Sequence, residues 1–405
     1  MKSTSGAPQM CWRFDEFELD GVQHEVRRHG EPVSLEPQVF ELLAYLIANH
    51  QRIVSRDELM DTVWGAGRGS DASLSTRIKE ARRALGDSGE SQKYIRTIYK
   101  RGYQFVAVPT IADQPVDSSA GVPTPAQRVG FAYARDGVRL AYGIAGSGPP
   151  LVRAANWMTH LGHDLYSPVW RHWVADLAAR RRLIRYDERG CGLSDWDVGA
   201  FTFDHWVADL ECVVDTLQLE RFPLLGVAQG GAVAVAYAAR HPERVSRLIL
   251  VGTYAQGRSV RAVGETEHRL AALDIELARL GWGRSDPAFR QVLASQVYPG
   301  GTRADWDAFG SLQIRATAPD SAVRFLEHSA DIDVLAQARG IQCPTLILHS
   351  TGDRRVPLYC ALQLASAIPD ARLVKLESEN HLLTAQEPAW QCFLREVDGF
   401  LGLSH

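Results

Sequence analysis

The stretch Leu224-Leu225-Gly226-Val227-Ala228-Gln229-Gly230-Gly231 decides the fold of most of this chain. An apolar run from Phe222 to Val227 leads into it, and a helix of small residues from Ala232 to Arg240 follows. This order predicts a strand, a sharp turn and a helix. The turn needs glycine on both sides of its centre, because a central residue in a strained backbone conformation crowds its neighbours.

The turn resembles the nucleophile elbow G-x-S-x-G of the α/β-hydrolases, with Ala228 in the place of the serine. A methyl group cannot attack a carbonyl carbon, and loss of a triad nucleophile lowers the rate by a factor of about 10⁶. Two explanations are open at this point. Either Ala228 is natural and the domain is a ligand-sensing pseudo-enzyme, or it replaces a natural serine, a substitution that traps a bound substrate.

Residues 128–405 are predicted to form this hydrolase-like domain. Strands alternate with helices there, which indicates a mostly parallel sheet covered on both faces. The run Asp187-Glu188-Arg189-Gly190-Cys191-Gly192-Leu193-Ser194 resembles the D-x-R-G-x-G-x-S loop of the epoxide-hydrolase and prolyl-iminopeptidase relatives. The largely helical segment from about 255 to 340 breaks the alternation, and the resemblance implies a cap over the site there.

The resemblance also implies a catalytic triad in the chain order nucleophile, acid, base. Asp353 matches the acid, because it stands in Gly352-Asp353-Arg354-Arg355-Val356-Pro357 after an apolar strand. His381 follows the last predicted strand and matches the base. With Ala228 at the nucleophile position, the site retains two of its three catalytic side chains.

An oxyanion hole in this fold needs two backbone N–H groups. The resemblance assigns one to Gln229, which follows the nucleophile position, and the other to Asn156 or Trp157 after an earlier strand. Both residues stay open for the second amide, because this loop lacks the usual His-Gly pair. His160 and Tyr254 follow strand ends nearby, and we expect them to line the pocket.

Residues 1–107 are predicted to form a separate domain of short strands, three helices and a hairpin. Apolar residues recur at helical spacing in 37–49 and in 72–85. Ser55 and Glu58 predict a capping box at the start of a helix over 56–64. The run from Tyr94 to Phe105 is typical of two strands joined by a basic turn.

Several motifs of this segment together resemble the OmpR/PhoB-type winged-helix DNA-binding domain. They are Val54-Ser55-Arg56-Asp57-Glu58-Leu59, Trp64, Arg82-Arg83-Ala84-Leu85-Gly86-Asp87, and Ile95-Arg96-Thr97 with Arg101-Gly102-Tyr103. The resemblance implies that the third helix enters the major groove of double-stranded DNA. It also implies that the hairpin, called the wing, contacts the backbone beside it.

The charges of this segment point the same way. Residues 68–103 carry nine basic and four acidic side chains, whereas residues 11–67 carry five basic and eleven acidic ones. Such a split suits docking on DNA, since phosphate neutralisation supplies most of the binding energy. The predicted DNA contacts are Ser75, Thr76, Lys79, Arg82 and Arg83 on the outward face of the third helix, and Lys100 and Arg101 in the wing.

The composition of the 405-residue chain, with a net charge of −4, is typical of a soluble globular protein, and its scattered cysteines predict reduced thiols in a cytoplasm. Its apolar runs are shorter than the about 20 residues that span a bilayer, and its six cysteines lack metal-like spacing. We therefore predict no membrane association, no metal and no cofactor. Residues 108–127 are rich in Pro, Ser and Ala, which indicates a linker. Winged-helix domains of this class bind repeated half-sites, which predicts a homodimer.

Two hypotheses of different classes follow from these patterns. In the first, the chain is a bacterial transcription regulator whose hydrolase-like domain binds a small, largely apolar ester, amide or lactone. The ligand then changes contact with DNA or with RNA polymerase through the linker. In the second, the chain is an α/β serine hydrolase with an accessory DNA-binding domain. Ala228 favours the first hypothesis for the sequence as it stands.

Overall fold

The computed structural model describes residues 10–21, 23–64, 70–112, 125–282, 284 and 288–402. The chain divides into two compact units, Met1–Gly121 and Val122–His405. Most of the predicted linker, residues 113–124, lies outside the described residues. Each unit is built around its own apolar core.

The first unit combines an antiparallel sheet, three helices and a separate hairpin. Its elements in chain order are β1 (Cys11–Phe14), β2 (Phe17–Asp20), β3 (Glu25–Arg28), β4 (Glu31–Val33), α1 (Pro37–Ala48), α2 (Arg56–Trp64), α3 (Asp71–Ala84), β5 (Ile95–Ile98), β6 (Gly102–Phe105) and β7 (Thr110–Ala112). The sheet order is β4-β3-β2-β1-β7, and β5 pairs with β6 alone. Because β7 pairs with β1, this unit extends beyond the boundary predicted at residue 107.

Helical spacing of apolar residues builds the core of this unit, as the sequence predicts. Leu42 and Leu46 of α1 and Leu74 and Ile78 of α3 are all buried, and they share one cluster. The Ser55 hydroxyl caps α2 by accepting from the Glu58 amide at 3.1 Å. The Glu58 carboxylate does not complete a capping box, since it accepts from the Tyr45 hydroxyl at 2.7 Å and from Arg52 at 2.9 Å.

The second unit is an eight-stranded sheet covered by helices. The strands are β8 (Gln127–Tyr133), β9 (Arg139–Ala145), β10 (Pro150–Arg153), β11 (Arg182–Tyr186), β12 (Phe222–Val227), β13 (Val245–Val251), β14 (Thr345–Ser350) and β15 (Ala371–Leu376). Their order is β15-β14-β13-β12-β10-β11-β9-β8. Pairing is antiparallel between β8 and β9 and between β9 and β11, and it is parallel between all the other neighbours. The predicted mostly parallel sheet is confirmed.

Helices connect these strands, and a helical segment interrupts their alternation after β13. The connecting helices are α4 (Arg171–Ala178), α5 (Phe203–Thr216), α6 (Gln229–Arg240), α13 (Leu358–Ala367) and α14 (Pro388–Leu401). The interrupting segment holds α7 (Arg258–Arg261), α8 (Gly264–Gly281), α9 (Ala288–Val297), α10 (Arg303–Ala316), α11 (Pro319–Ala330) and α12 (Leu335–Ala338). We call this segment, from α7 to α12, the cap.

Two short bridges tie the cap to the sheet domain. Cys191 pairs with Thr317, and Gln256 pairs with Asp333. In the described part of the chain, no helix is long and apolar enough to cross a membrane. All six cysteines are free thiols. The parallel strands β12, β13 and β14 end at the same edge of the sheet, and the candidate site lies there.

Candidate functional site

Ala228 occupies the strained turn between β12 and α6. Its φ of 50° and ψ of −125° lie in a region that a non-glycine residue rarely adopts. The Ala228 amide donates to the Val251 carbonyl at 2.9 Å, which holds the turn against β13. The backbone of a nucleophile elbow is therefore present, although its central side chain is a methyl group.

The glycines of the elbow are required by close packing. A Cβ atom on Gly230 would lie 2.4 Å from the Ala155 carbonyl oxygen, and one on Gly231 would lie 2.1 Å from Thr253 Oγ1. Both distances are shorter than any real Cβ contact. The start of α6 thus packs directly against the end of β10 and against the segment after β13.

Asp353 and His381 form a hydrogen-bonded pair at the carboxyl ends of β14 and β15. His381 Nδ1 lies 2.7 Å from Asp353 Oδ2, and both side chains are buried. Asp353 Oδ1 accepts from the amides of Arg355 and Val356, each at 2.8 Å. Burial raises the pKa of Asp353, but the facing His381 and these amides outweigh it and bring the pKa below its ordinary value. Asp353 is therefore an ionised acid that orients His381.

A second histidine lies near the same carboxylate oxygen of Asp353. His349 Nε2 is 3.9 Å from Asp353 Oδ2, but it donates to the Val356 carbonyl at 2.7 Å. Burial lowers the pKa of His349, which keeps its ring neutral at neutral pH. Asp353 therefore directs its charge towards His381, and the Nε2 atom of His381 remains to accept a proton.

A cavity lies between the cap and the end of the sheet, with Ala228 and His381 in its lining. The space open to the centre of a water molecule is about 110 Å³. Much of the wall is apolar, and its members are Met158, Trp170, Leu293, Val297, Phe309 and Leu326. Trp157 lines the cavity and stacks between Trp282 and Phe325, at centroid distances of 5.3 and 4.9 Å.

The predicted lining residues Tyr254 and His160 have different positions. Tyr254 lines the cavity. His160 is absent from the described lining. It is buried beside His163, whose amide donates to His160 Nδ1 at 3.1 Å. The expectation for His160 was wrong, because its strand-end position fixes the loop but leaves the direction of the ring undetermined.

The three residues predicted to supply oxyanion amides, Gln229, Asn156 and Trp157, all line the cavity. The Asn156 side chain accepts from the buried Arg153 and donates to the Trp157 carbonyl at 3.2 Å. The Arg153 guanidinium lies 4.0 Å from the centroid of the Trp170 ring. A buried cation thus fixes the loop of Asn156 and Trp157, where the second oxyanion amide is predicted.

The residues predicted to contact DNA lie on α3 and in the wing of the first unit. Six predicted contacts are exposed, namely Ser75, Thr76, Lys79, Arg83, Lys100 and Arg101. Among the described residues, Lys79, Arg83 and Arg101 form no ion pair. These three cations therefore keep their full charge for an external anion.

Arg82 was predicted to face outward, and the structure corrects this. Its side chain is buried, and its guanidinium donates to the Ile95 carbonyl at 2.7 Å and to Thr97 Oγ1 at 2.8 Å. Asp87 accepts from the amides of Tyr94 at 2.9 Å and Ile95 at 3.1 Å. The charged motif at the end of α3 therefore joins this helix to the wing, and its arginine is not free for DNA.

The family model of the α/β hydrolase fold matches residues 158–388, more than half of the chain. The chain belongs to the α/β-hydrolase family. The family model of the C-terminal domain of transcriptional regulatory proteins matches residues 30–105. The first unit of this α/β-hydrolase is therefore a winged-helix domain of the OmpR/PhoB type.

Individual relatives match the hydrolase domain. A 2-hydroxy-6-oxo-2,4-heptadienoate hydrolase of Pseudomonas putida F1 is 30% identical over 274 residues, which are 64% of this chain and 87% of the relative. The structure of a hydrolase from Pseudomonas aeruginosa PA01 is 26% identical, with a TM-score of 0.56, over 68% of this chain and 98% of that one. An enol-lactonase from Burkholderia xenovorans LB400 is 26% identical, with a TM-score of 0.54, over 67% of this chain and 100% of that one.

One buried carboxyl group at this α/β-hydrolase site was not predicted. Glu188 is buried, and Gln229 Nε2 donates to its Oε1 at 3.2 Å. Burial raises the pKa of Glu188 to about 8, so the group is mainly protonated at neutral pH. The loop motif around 187–194 marks the position, but no sequence signal shows that a neutral carboxyl group touches the residue after Ala228.

Sequence analysis also missed a polar corner of the cavity. Arg258, Arg261, Asp274 and Arg355 all line it. Only Arg355 stood next to a recognised motif, two residues after Asp353. The others lie in the cap, where helical periodicity says which residues are buried but not which element they face. The pocket is thus less apolar than expected.

Proposed function

We propose that this protein is a cytoplasmic DNA-binding transcriptional regulator whose α/β-hydrolase domain binds a small ester, amide or lactone without cleaving it. The observation that carries the proposal is the elbow. Its strained backbone and the Asp353–His381 pair persist, while the reacting residue is Ala228. Such a site binds a carbonyl compound and lacks the atom that would attack it.

The winged-helix domain supports the DNA-binding half of the proposal. Lys79 and Arg83 on α3 and Arg101 in the wing are exposed on adjoining parts of one unit. Arg82 and Asp87 tie these two parts together through Ile95. We infer that α3 docks in the major groove and that the wing contacts phosphates beside it.

The known relatives support the ligand class. One is named as a hydrolase of 2-hydroxy-6-oxo-2,4-heptadienoate, and another as an enol-lactonase. Both names describe carbonyl compounds of modest size. The cavity in this chain, with its Trp157 stack and apolar wall, suits a ligand of the same kind. We infer that the bound ligand alters contact with DNA or with RNA polymerase through the linker.

We further propose that the protein is a homodimer that pairs through α8. Leu270, Leu273 and Leu280 of this helix are 47%, 49% and 55% exposed, and they follow helical spacing. Repeated DNA half-sites require a second copy of the chain, since each half-site needs its own winged-helix domain. In a symmetric dimer the exposed leucines of α8 would pack against the same leucines of the second copy.

A second candidate function is that of a serine hydrolase with Ala228 in place of a native serine. The 2.7 Å contact between His381 and Asp353 favours it, because a base with no hydroxyl to deprotonate has no need of an orienting acid. In this case the DNA-binding domain is accessory.

Two measurements on the full chain separate these functions. For the regulator, we expect salt-dependent binding to DNA from upstream of its own gene and no turnover of p-nitrophenyl butyrate. If the chain does not bind this DNA, the proposal that it is a regulator is wrong. If the chain with Ala228 hydrolyses the ester and His381→Ala abolishes the hydrolysis, the proposal that the site does not catalyse is wrong.

A further inference from the structure

Three arginines converge on one corner of the ligand cavity. Arg258 and Arg261 stand at the two ends of α7, and Arg355 stands two residues after the acid Asp353. All three side chains belong to the lining. Arginine keeps its charge at any physiological pH, so the corner carries three permanent positive charges.

One acid offsets only part of this charge. Asp274 of α8 accepts from Arg258 and, through Oδ2, from Arg355 at 2.5 Å. It is the one carboxylate among the described residues of the lining. The Asp353 carboxylate is hydrogen-bonded to His381 and is not part of the described lining. The cavity corner therefore has an excess of positive charge.

Arg261 is the arginine with the weakest internal partners. Its guanidinium donates to the carbonyls of Gln256 at 3.1 Å and Arg355 at 3.2 Å. It also lies 5.3 Å from the centroid of the Tyr254 ring, another cavity residue. Within the described part of the chain, no carboxylate forms an ion pair with it. Neutral carbonyls leave this cation able to pair with an anion from the ligand.

Most of the remaining lining is apolar. It includes Trp157, Met158 and Phe325, together with apolar residues of α9 and α10. Ala228 lines the same cavity. A ligand that fills it therefore meets a cationic corner, the elbow and an apolar wall at once.

We propose that the ligand bears a carboxylate, which binds at Arg261 and its neighbouring arginines while an apolar chain follows the wall. The ligand class is then a half-ester of a dicarboxylic acid or a lactone acid, with its ester group at Ala228. This inference rests on the proposed function of the cavity, and it narrows the ligand from small esters, amides and lactones to those that carry a carboxylate. No bond is made or broken in the binding step.

Matched esters test the inference by calorimetric titration of the full chain. Monomethyl suberate carries one carboxylate, and dimethyl suberate has the same chain without a charge. We expect the half-ester to bind about tenfold more tightly or better, because a charge-assisted hydrogen bond replaces a contact with a neutral ester. Arg261→Gln should remove the preference, and Arg261→Lys should restore part of it.

A control variant separates this site from general charge effects. Arg269→Gln removes one exposed positive charge from α8, outside the cavity, and should leave the preference intact. Equal binding of both esters to the unchanged chain would overturn the inference and leave the proposed function standing. If neither ester binds, the inference fails as well. Labelling of Ala228→Ser by a fluorophosphonate then decides whether the proposed ligand site fails with it.

Discussion

His381 Nδ1 lies 2.7 Å from Asp353 Oδ2, although the residue that this pair would serve, Ala228, has no hydroxyl group. Ala228 nevertheless keeps a φ of 50°, a conformation that costs roughly 1–3 kcal/mol in a non-glycine residue. An ordinary turn would relax this strain. We infer that this is a hydrolase site that lacks one oxygen atom, and that packing holds its remaining parts in place.

Substitution of Lys79 should weaken DNA binding without affecting the fold. Lys79 is exposed on α3 and has no ion pair among the described residues. If it contacts phosphate, Lys79→Ala should reduce the slope of log K against log salt by about 1. Fluorescence anisotropy with DNA from upstream of the gene measures this slope. An unchanged slope and affinity would exclude Lys79 from the interface.

Substitution of Arg82, unlike that of Lys79, should lower the stability of the fold. Its guanidinium is buried and donates to Ile95 and Thr97. Arg82→Met should lower the free energy of unfolding by about 2 kcal/mol, the typical value of a charge-assisted hydrogen bond. Chemical denaturation, followed by a spectroscopic signal from the first unit, tests this value. Arg83→Met, at an exposed position, is the control. Equal stability of the two variants would mean that Arg82 does not hold the wing.

Glu188 should make the second unit less stable as the pH rises. Its pKa in the folded protein is about 8, above the ordinary value of 4.5, because burial disfavours the charged form. The neutral form therefore stabilises the fold fully below pH 4.5, and this contribution is lost as the pH rises towards 8. Glu188→Gln stays neutral and should flatten the fall in Tm between pH 5 and 8.

Thermal melting across this pH range checks the effect against Glu220→Gln, which neutralises an exposed carboxylate. The exposed variant should keep the pH dependence of the unchanged protein. If Glu188→Gln and Glu220→Gln give the same profile as the unchanged chain, Glu188 ionises without cost and our account of its burial is wrong.

A charge on the exposed stripe of α8 should dissociate the proposed dimer. Leu273 is 49% exposed on a helix whose neighbouring leucines are also exposed. Leu273→Glu would place two carboxylates at the centre of a paired interface, and we expect a monomer in light scattering. Ala272→Glu adds the same charge to an exposed position of α8 outside the leucine stripe, and it should remain a dimer. A strict monomer in the unchanged protein, both free and on DNA, would remove the proposal.

The sequence predicted the fold closely where periodicity and motif agree. The bounds of α2 and β12 match the predicted helix over 56–64 and the predicted strand from Phe222 to Val227, and the elbow has the expected strain at Ala228. The positions of the acid and the base could be predicted because each residue follows a strand that ends at the same edge of the sheet. Because neighbouring parallel strands end at the same edge, the order of the motifs along the chain was enough to predict that Asp353 and His381 lie there.

Side-chain direction was harder to predict than position. Helical spacing placed Arg82 beside Arg83, but only the packed wing shows that Arg82 turns inward to Ile95. The prediction that His160 lines the cavity was wrong for the same reason, since the side chain of a loop residue near a strand end can face either way. The cap arginine Arg261 had no motif at all, because its role depends on contact with residues nearly a hundred positions away.

Covalent labelling of Ala228→Ser tests the central claim most directly. The full chain with this substitution is incubated with a fluorophosphonate, and its intact mass is measured beside the unchanged chain and Ala228→Ser/His381→Ala. We predict one adduct on Ala228→Ser alone, because only this variant has a hydroxyl group, a base and an oriented acid together. A folded Ala228→Ser that stays unlabelled, or an unchanged chain that is labelled, would contradict the claim that one missing oxygen separates this site from a hydrolase.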